Sequence, residues 1–401
     1  MSLRILLTHR YYWPDKTPCA GIMCSVANYL ASQGHEVDVI SSQPSYRQSS
    51  LSERRPKLEK IDGVHIRRLS LPYEAGRPWW RILNALHLGA WILFRAFSRQ
   101  YDVIVVSTVP PVLGGFFSAL AAKVTRARFI YYCMDLHPEV GRVSGDFANP
   151  WLFSLLQRID DWSCLQASPV LVHSEDMRTT LRARMHGEKY KIQLMNNFAL
   201  PTDTSHKAEI DFGFGGNRLT LIYAGNIGRF QGLETAVEAM ALIADRKDIV
   251  FVIMGDGVAK AGLIERARST RSNIRFIDYQ PLDFAKSAIR QADIGLVTLI
   301  PEIYKYAYPG KTMAYLEQGT PIIAAVERES ELSQDMCSQG YGFSVPIGDA
   351  NALAALLVQL ADDDSWKQKM NAAALHAFEQ NFSPEVVLQR WTRVVETGSV
   401  D

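Results

Sequence analysis

Cysteine is scarce in this sequence and long apolar runs are absent, and each absence narrows the class of protein. The 401 residues include five cysteines, an odd number with no metal-binding spacing. A disulfide framework or a zinc site is therefore not expected, and a reduced cytosolic protein is the simplest interpretation. The first apolar stretch is too short for a signal peptide, and no segment reaches the roughly 20 apolar residues that span a bilayer. We expect a protein that is soluble or lies on a membrane.

Two nucleotide-binding signatures are also missing. The run Gly310-Lys311-Thr312 resembles the end of a phosphate-binding P-loop, but the required glycine five positions before Gly310 is replaced by Lys305. The loop after the first predicted strand lacks the glycine fingerprint G-x-G-x-x-G. A P-loop nucleotide site and a nicotinamide dinucleotide site are therefore not expected.

Length and charge indicate two domains of different character. A chain of 401 residues that is 47% hydrophobic is long enough for two domains of about 150–200 residues. The net charge is only +1, yet residues 1–130 carry 17 Lys and Arg against 8 Asp and Glu. The basic first part is suited to an anionic partner such as a membrane surface or a phospholipid-like acceptor. Chance distribution of charge over two domains is the alternative.

The pattern of strands and helices is that of two doubly wound α/β domains. Arg4–Thr8 is predicted as a strand, followed by a loop over 12–21, a helix over 22–33 and a strand over 36–41. A polar stretch at 200–216 is predicted as a linker. The pattern then restarts with a strand at Leu219–Ala224. A ligand-facing loop is expected after the first strand of each domain.

The segment 76–100 interleaves aromatic and apolar residues with arginines. Trp79, Trp80 and Arg81 stand at its start, and this composition is typical of a helix lying in a bilayer interface. The alternative is a wide-faced helix packed on the sheet.

Chemically active side chains follow a predicted strand at 129–133. Asp135, His137 and Glu139 come just past its carboxyl end, where α/β proteins place their ligand sites. Their side chains offer acid, base and hydrogen-bonding roles toward a hydroxyl nucleophile. Alternatively, Asp135 caps a helix and His137 is a satisfied surface residue.

The second half repeats this arrangement with groups suited to a phosphate. A helix predicted after Gly310 would offer free N–H groups, a dipole and the cation of Lys311, and Gly319 would end it in a left-handed conformation. Glycines after other strands let the backbone approach a diphosphate, and an arginine can fork onto its oxygens. The candidate residues at these strand ends are Gly225, Asn226, Arg229, Gln231, Asp256, Tyr279, Gln280, Gly310, Lys311 and Thr312.

The ordered set of segments resembles glycosyltransferase family 4, in its bacterial exopolysaccharide and O-antigen branch. The segments are RILLTHRYYWPDKTPCAG, QGHEVDVIS, MDLHPE, IQLMNNF, LIYAGNIGRFQGLETAVEA, FVIMGDG, ADIGLVTL, PGKTMAYLEQGTPIIA and FSPEVVLQRW. The resemblance implies a GT-B fold, in which two Rossmann-like doubly wound domains face across a cleft. It implies an acceptor domain at 1–200 with the helix 384–401 crossing back to it, and a nucleotide-sugar domain at 201–383. It also implies transfer with retention and no bound metal.

The resemblance carries over to individual residues unevenly. Gly21 matches the glycine of the first loop, near the donor phosphates and sugar. Gly225, Asn226, Arg229 and Gln231 match the diphosphate-binding segment, although many relatives have a lysine at the position of Gln231. Tyr279 and Gln280 fall where the backbone usually contacts the base.

Two glutamates of much of the family are missing. Aligning Gly319 and Pro321 with the family's Gly-x-Pro places Tyr306 and Ala314 at the positions of those glutamates. Glu317, one helical turn from Ala314, or Glu302 in the preceding loop is expected to substitute.

The resemblance implies that the protein transfers a sugar from a nucleotide sugar, with UDP as the first candidate nucleotide, to a lipid-linked saccharide. The reaction would belong to the synthesis of a bacterial surface polysaccharide and would take place on the inner face of the cytoplasmic membrane. Asp135, His137, Arg229 and Glu317 are the expected catalytic residues, and Trp79, Trp80, Arg81 and Glu139 the expected membrane and acceptor contacts. No nucleic acid partner is expected. The alternatives are a GT-B-fold nucleotide-sugar 2-epimerase or hydrolase, and a non-catalytic partner of another transferase.

Overall fold

The chain divides into two compact units in the computed structural model, which describes residues 2–15, 17–46, 53–74, 77–202 and 211–400. The first unit comprises Met1–Leu200, Tyr306–Tyr308 and Glu385–Asp401. The second comprises Pro201–Lys305 and Pro309–Pro384. The stretch predicted as a linker contains this division, and its residues 203–210 lie outside the described residues.

The first unit is built on an eight-stranded sheet in the order β3-β4-β2-β1-β5-β6-β7-β8. All neighbouring strands are parallel except β3 and β4. The central strands are continuous apolar runs because both faces of the sheet are covered. The strands are β1 Arg4–Thr8, β2 Glu36–Ser42, β3 Leu58–Ile61, β4 Val64–Leu69, β5 Val103–Ser107, β6 Arg128–Cys133, β7 Val170–Val172 and β8 Ile192–Leu194.

Helices cover both faces of this sheet. One cluster of buried residues includes α1, and a second, on different strand residues, includes α2, α3 and α5. Thr17 caps α1 by accepting a hydrogen bond from the Ala20 N–H at 3.0 Å, with Pro18 in the first turn. The helices are α1 Pro18–Ser32, α2 Pro78–Ser98, α3 Leu113–Thr125, α4 Glu139–Val143, α5 Pro150–Gln166 and α6 Glu175–Arg182.

The second unit has a six-stranded parallel sheet in the order β11-β10-β9-β12-β13-β14. Its strands are β9 Leu219–Ala224, β10 Ile249–Met254, β11 Ile274–Ile277, β12 Ile294–Thr298, β13 Ile322–Ala325 and β14 Gly342–Val345. Its helices are α7 Glu234–Leu242, α8 Lys260–Ser269, α9 Leu282–Gln291, α10 Lys311–Glu317, α11 Glu331–Gln339, α12 Ala350–Asp362 and α13 Lys367–Asn381. The strand order reverses between β9 and β12, which is where open α/β sheets bind ligands.

The final helix, α14 Pro384–Thr397, returns to the first unit. Trp391 of α14 is fully buried in the same cluster as α1, and its ring meets that of Tyr132 edge to face at 5.0 Å. The two units are therefore each a doubly wound α/β domain, as the sequence pattern predicts.

Candidate functional site

Two glycines bring the loops after β9 and β10 into backbone contact. Gly225 and Gly255 both have φ of +147°, a conformation that side chains rarely adopt. A Cβ built on Gly255 would lie 1.9 Å from the carbonyl oxygen of Gly225. The Gly225 N–H also donates to the Met254 carbonyl at 2.9 Å. The backbone at the carboxyl end of β9 is thus held in a fixed position and open to close approach.

A lysine from α10 lies beside this loop. Lys311 Nζ donates a hydrogen bond to Gln231 Oε1 at 2.7 Å and lies 4.7 Å from the centroid of the Tyr223 ring. The Tyr223 hydroxyl donates to the same Gln231 oxygen at 3.1 Å. Burial lowers the pKa of Lys311 to about 8, because the charged ammonium is partly removed from water. The structure therefore brings together Gly225, Gln231 and Lys311 at the switch point of the second sheet.

The other donor candidates lie at the same edge of the second sheet. Arg229 is exposed and forms no ion pair with another described residue. Asn226 is exposed, and its carbonyl accepts from the Tyr223 hydroxyl. Asp256 is exposed, and its carboxylate accepts a hydrogen bond from the neighbouring Gly257 N–H at 2.8 Å. Tyr279 and Gln280 follow β11, the former exposed and the latter half-buried.

The helix expected to hold phosphate at its start is short. It begins at Lys311 and has seven residues, so it starts two residues before the helix that the sequence predicts over 313–318. Gly310 precedes it without a side-chain cap, and Gly319 ends the turn with φ of +68°, as predicted. Thr312 is buried, and its hydroxyl lacks a hydrogen-bond partner within the described part of the chain. The dipole of so short a helix is small, so Lys311 supplies most of the positive charge.

Glu317 does not substitute for a missing glutamate at the donor edge. It ends α10, about 9 Å along the helix from Lys311 by the rise per residue. Since α10 runs back from the carboxyl ends of the strands, Glu317 lies toward their opposite ends. Its carboxylate pairs with the buried Lys286 at 2.6 Å. Glu302, the second candidate, pairs with Lys305 at 2.6 Å.

Gly21 lies in the first turns of α1, and the prediction that it ends a loop is wrong. The Thr17 cap and Pro18 start the helix four residues earlier than apolar spacing alone predicted. The Gly21 N–H donates to the Thr17 carbonyl at 3.0 Å, and a Cβ there would lie 2.8 Å from the Leu200 side chain. The glycine therefore serves close packing inside the first unit.

Asp135 lies just after β6, and its carboxyl group has a raised pKa. Its N–H donates weakly to Thr108 Oγ1 at 3.4 Å, and Asp135 forms an isolated antiparallel bridge with Ala307. The next N–H, of Leu136, donates to the Tyr306 carbonyl at 2.8 Å. Burial raises the pKa of Asp135 to about 6, and the carboxylate has no ion-pair partner among the described residues. A carboxyl group with this pKa exchanges protons near neutral pH.

The sequence predicts His137 as a catalytic residue and Glu139 as a membrane or acceptor contact. Burial lowers the pKa of His137 to about 4, so its half-buried ring is neutral. Glu139 is buried and receives two hydrogen bonds from the Arg184 guanidinium, at 2.7 and 3.0 Å. Arg184 also pairs with Asp160 at 2.7 Å and Asp161 at 3.2 Å. The Glu139 carboxylate is thus occupied inside the unit and is not a membrane or acceptor contact.

The aromatic helix α2 has one face packed on the sheet and exposes aromatic and apolar side chains elsewhere. Its inner face, including Leu88 and Ile92, packs on the sheet. Trp79 is 77% exposed and Trp80 is 38% exposed. Arg81 is exposed near Asp146, 3.7 Å away. Further exposed apolar side chains of α2 are Ile82, Leu83, Leu86, Phe94 and Phe97.

Sequence reasoning missed several of these relationships. The buried Arg184 group brings together residues from α4, α5 and the turn after α6, which no local pattern connects. A second buried group joins Tyr132, His173 and Asn197, where His173 Nε2 lies 3.0 Å from the Tyr132 hydroxyl. The only available signal was polar residues just past apolar strands. In the described ranges no three His, Cys, Asp or Glu side chains gather as a metal site requires, and no helix is long and apolar enough to cross a membrane.

Comparison with known proteins gives a consistent result. The family described as "Glycosyl transferase 4-like domain" matches residues 22–197, and "Glycosyl transferases group 1" matches residues 218–363. The chain is 23% identical over 306 residues to the probable glycosyltransferase WbjE of Pseudomonas aeruginosa, covering 74% of this chain and 75% of WbjE. It is 24% identical to the putative colanic acid biosynthesis glycosyl transferase WcaI of Escherichia coli K12, covering 97% of this chain and 98% of WcaI.

Solved structures share the fold. Sucrose-phosphate synthase from Thermosynechococcus elongatus has a TM-score of 0.74 at 16% identity, with 98% of each chain covered. HepE of Anabaena, in complex with UDP and glucose, has a TM-score of 0.69 at 15% identity, covering 98% of this chain and all of HepE. The two family matches fall one in each unit and together span most of the sequence. This chain therefore belongs to glycosyltransferase family 4 and is a glycosyltransferase with the GT-B fold.

Proposed function

We propose that this transferase moves a sugar from a UDP-sugar to a lipid-linked saccharide in the synthesis of a bacterial surface polysaccharide, with retention at the anomeric carbon. The observation that carries the donor assignment is the position of Lys311 beside Gln231 and Gly225 at the switch point of the second sheet. The similarity to a HepE structure holding UDP and glucose supports UDP as the nucleotide. The similarity to WcaI, described as acting in colanic acid biosynthesis, supports a surface polysaccharide.

In this proposal the donor diphosphate binds against the Gly225 backbone. Lys311 replaces the lysine that many family members carry at position 231, since its ammonium already contacts Gln231 Oε1. Arg229 is exposed and follows Gly225 by four residues, and its guanidinium provides a second cation. Both charges stabilise the leaving diphosphate as the anomeric bond breaks, where preorganised charge is most effective. No metal ion is needed for this step.

The acceptor hydroxyl is assigned to the first unit, at Asp135. A carboxyl group with a pKa of about 6 is mostly ionised at neutral pH and can accept the proton of an attacking hydroxyl. His137, with its pKa lowered to about 4, acts as a neutral hydrogen-bonding group there.

A transfer assay with a product analysis tests this function. The protein is incubated with UDP-sugars and a bacterial polyprenyl-diphosphate-sugar extract, with and without EDTA, and the new linkage is identified by NMR. We expect a lengthened lipid-linked saccharide with the donor's anomeric configuration, formed equally with EDTA. An inverted product would contradict retention, and epimerisation or hydrolysis without transfer would contradict the assignment.

The membrane contact is proposed for the exposed face of α2, at the inner surface of the cytoplasmic membrane. Tryptophans and arginines at a helix end are suited to an anionic lipid interface. Replacing Trp79 and Trp80 with alanine should reduce cosedimentation with phosphatidylglycerol-rich vesicles several-fold. Leu375→Ala, which removes an exposed apolar side chain from α13 in the second unit, is the matched control. Unchanged cosedimentation of the double variant would exclude α2 as the contact.

A further inference from the structure

Three consecutive residues at the carboxyl end of β1 bury polar atoms that nothing in the described ranges satisfies. Thr8, His9 and Arg10 are each at most 2% exposed. Thr8 Oγ1, His9 Nε2, and Nε and Nη1 of Arg10 all lack a hydrogen-bond partner there. An unsatisfied buried polar group costs about 1–3 kcal/mol, and most such groups in native proteins are paired. Four such atoms at one strand end make this position a candidate for a bound ligand.

Neighbouring side chains hold Arg10 in place without satisfying it. Its Nη2 makes one long hydrogen bond to Glu74 Oε2 at 3.4 Å. The same carboxylate is fixed by the Tyr11 hydroxyl at 3.2 Å and by Asn84 Nδ2, from α2, at 2.8 Å. The guanidinium carbon lies 5.3 Å from the Tyr11 ring centroid. The cluster thus joins the end of β1 to the start of the aromatic helix.

A hydrogen bond at Nδ1 of His9 determines which ring nitrogen carries the proton. His9 Nδ1 accepts a hydrogen bond from the Tyr11 N–H at 3.1 Å, so Nδ1 carries no proton. Burial lowers the pKa of His9 to about 4, and the neutral ring therefore carries its proton on Nε2. His9 and Arg10 together present hydrogen-bond donors with no acceptor on the described chain.

Aromatic side chains lie beside these donors. The rings of Tyr11 and Tyr46 meet edge to face at 5.4 Å, and Tyr46 is 47% exposed. A pyranose ring has an apolar face of C–H groups, which an aromatic ring covers, and a rim of hydroxyls, which planar polar groups bind. The carboxyl end of β1 offers both surfaces: the aromatic rings of Tyr11 and Tyr46 and the polar groups of His9 and Arg10.

The charges favour a neutral ligand over a phosphate. Arg10 already faces Glu74, and the buried Asp15 is near enough to interact with it. A diphosphate would meet two carboxylates, whereas a sugar hydroxyl can accept from Arg10 and donate to Glu74 without repulsion. Resting on the proposed function, we propose that His9, Arg10 and Tyr11 form the subsite for the acceptor's sugar ring, at the carboxyl end of β1.

Saturation-transfer NMR with a panel of methyl glycosides, of glucose, galactose, mannose and N-acetylglucosamine, tests the subsite. At least one glycoside should bind at millimolar concentration, with or without UDP, and Arg10→Met should abolish the signal. The isosteric variant Thr8→Val should weaken it several-fold. Both variants should keep or raise the melting temperature, because each removes unsatisfied buried groups while Glu74 keeps its bonds to Tyr11 and Asn84. Arg178→Met, on α6 of the same unit, is the matched control and should bind normally.

Several results would overturn the subsite. One is the absence of any glycoside signal in the wild type, and another is a signal that is unchanged in both Arg10→Met and Thr8→Val. A third is displacement of the glycoside by inorganic phosphate in a Lys311→Met background, which would identify the position as an anion site. A large loss of melting temperature together with retained binding would show that Arg10 is structural. UDP binding is measured on the same samples: if it persists while glycosides fail, the subsite alone is wrong, and if it is absent from the wild type, the proposed function fails.

Discussion

Lys311 Nζ lies 2.7 Å from Gln231 Oε1, although the two residues are 80 positions apart in the chain. One comes from the helix after β12 and the other from the loop after β9, the two strands at which the second sheet reverses its order. The contact places a partly buried cation beside the open backbone of Gly225. On this arrangement rests the proposed binding of a diphosphate.

Donor affinity should depend on pH through Lys311. Its pKa is lowered to about 8, so the ammonium is present at neutral pH and is lost as the pH rises through that value. Calorimetric UDP binding should therefore weaken roughly tenfold between about pH 7 and about pH 9. Lys311→Met should bind UDP about 10–100-fold more weakly at neutral pH and show a flat profile. A pH profile in the variant as steep as in the wild type would contradict this role.

The close approach of two loops predicts opposite effects of alanine at two glycines of the second unit. Gly255→Ala should destabilise the protein by more than about 2 kcal/mol, because its Cβ would overlap the Gly225 carbonyl at positive φ. Gly262 lies within α8 with nothing near its added Cβ, so Gly262→Ala should stabilise by about 0.5–1 kcal/mol. Urea denaturation measures both. Equal effects would mean that the loops are not in contact.

The raised pKa of Asp135 predicts a gain in stability when its charge is removed. Because the folded-state pKa is about 6 against 3.8 for an aspartate side chain in water, ionisation opposes folding, and this penalty develops as the pH rises from about 4 to 6. Asp135→Asn should be more stable by about 1–2 kcal/mol at pH 8, allowing for residual exposure, with no difference near pH 3. Transfer activity should fall by at least about 100-fold if Asp135 is the base. A variant that loses stability at pH 8 would show that the carboxylate is paired in solution.

The Arg184 group should be structural. Arg184→Met leaves the carboxylates of Glu139, Asp160 and Asp161 buried without their cation, which should cost about 3–5 kcal/mol. Arg178→Met removes only an exposed pair with Glu175 and should change the free energy of unfolding by less than about 1 kcal/mol. Chemical denaturation of both variants measures the difference. If both variants lost less than about 1 kcal/mol of unfolding free energy, the Glu139 carboxylate would be free to act as an acceptor contact.

The alternation of strands and helices could be predicted because it follows from local patterns. Apolar runs such as those of β1 and β9 have the bounds that the sequence predicts, since a strand buried on both faces needs continuous apolar residues. The start of α1 could not be set by apolar spacing, because the Thr17 cap and Pro18 determine it. The edge strand β3 and its neighbour β4 were not predicted, since β3 alternates between exposed and half-buried residues.

The candidate site was predictable only as positions at strand ends. The sequence identified Gly225, Gln231 and Lys311 separately, but their contact depends on strand order, which periodicity does not encode. For the same reason Glu139 was assigned to the surface, although a partner 45 residues away buries it. The substitution expected of Glu317 fails because α10 carries it away from the strand ends.

The most direct test of the central claim is a thermal-shift panel of UDP, GDP, CMP and dTDP, with and without magnesium. A ligand that binds only the folded protein raises the melting temperature according to its occupancy. The account predicts a clear shift with UDP that is independent of magnesium and is lost in Arg229→Ala and Lys311→Met, but kept in Lys305→Met. If none of the four nucleotides shifts the wild type, the donor site proposed in the second unit does not exist.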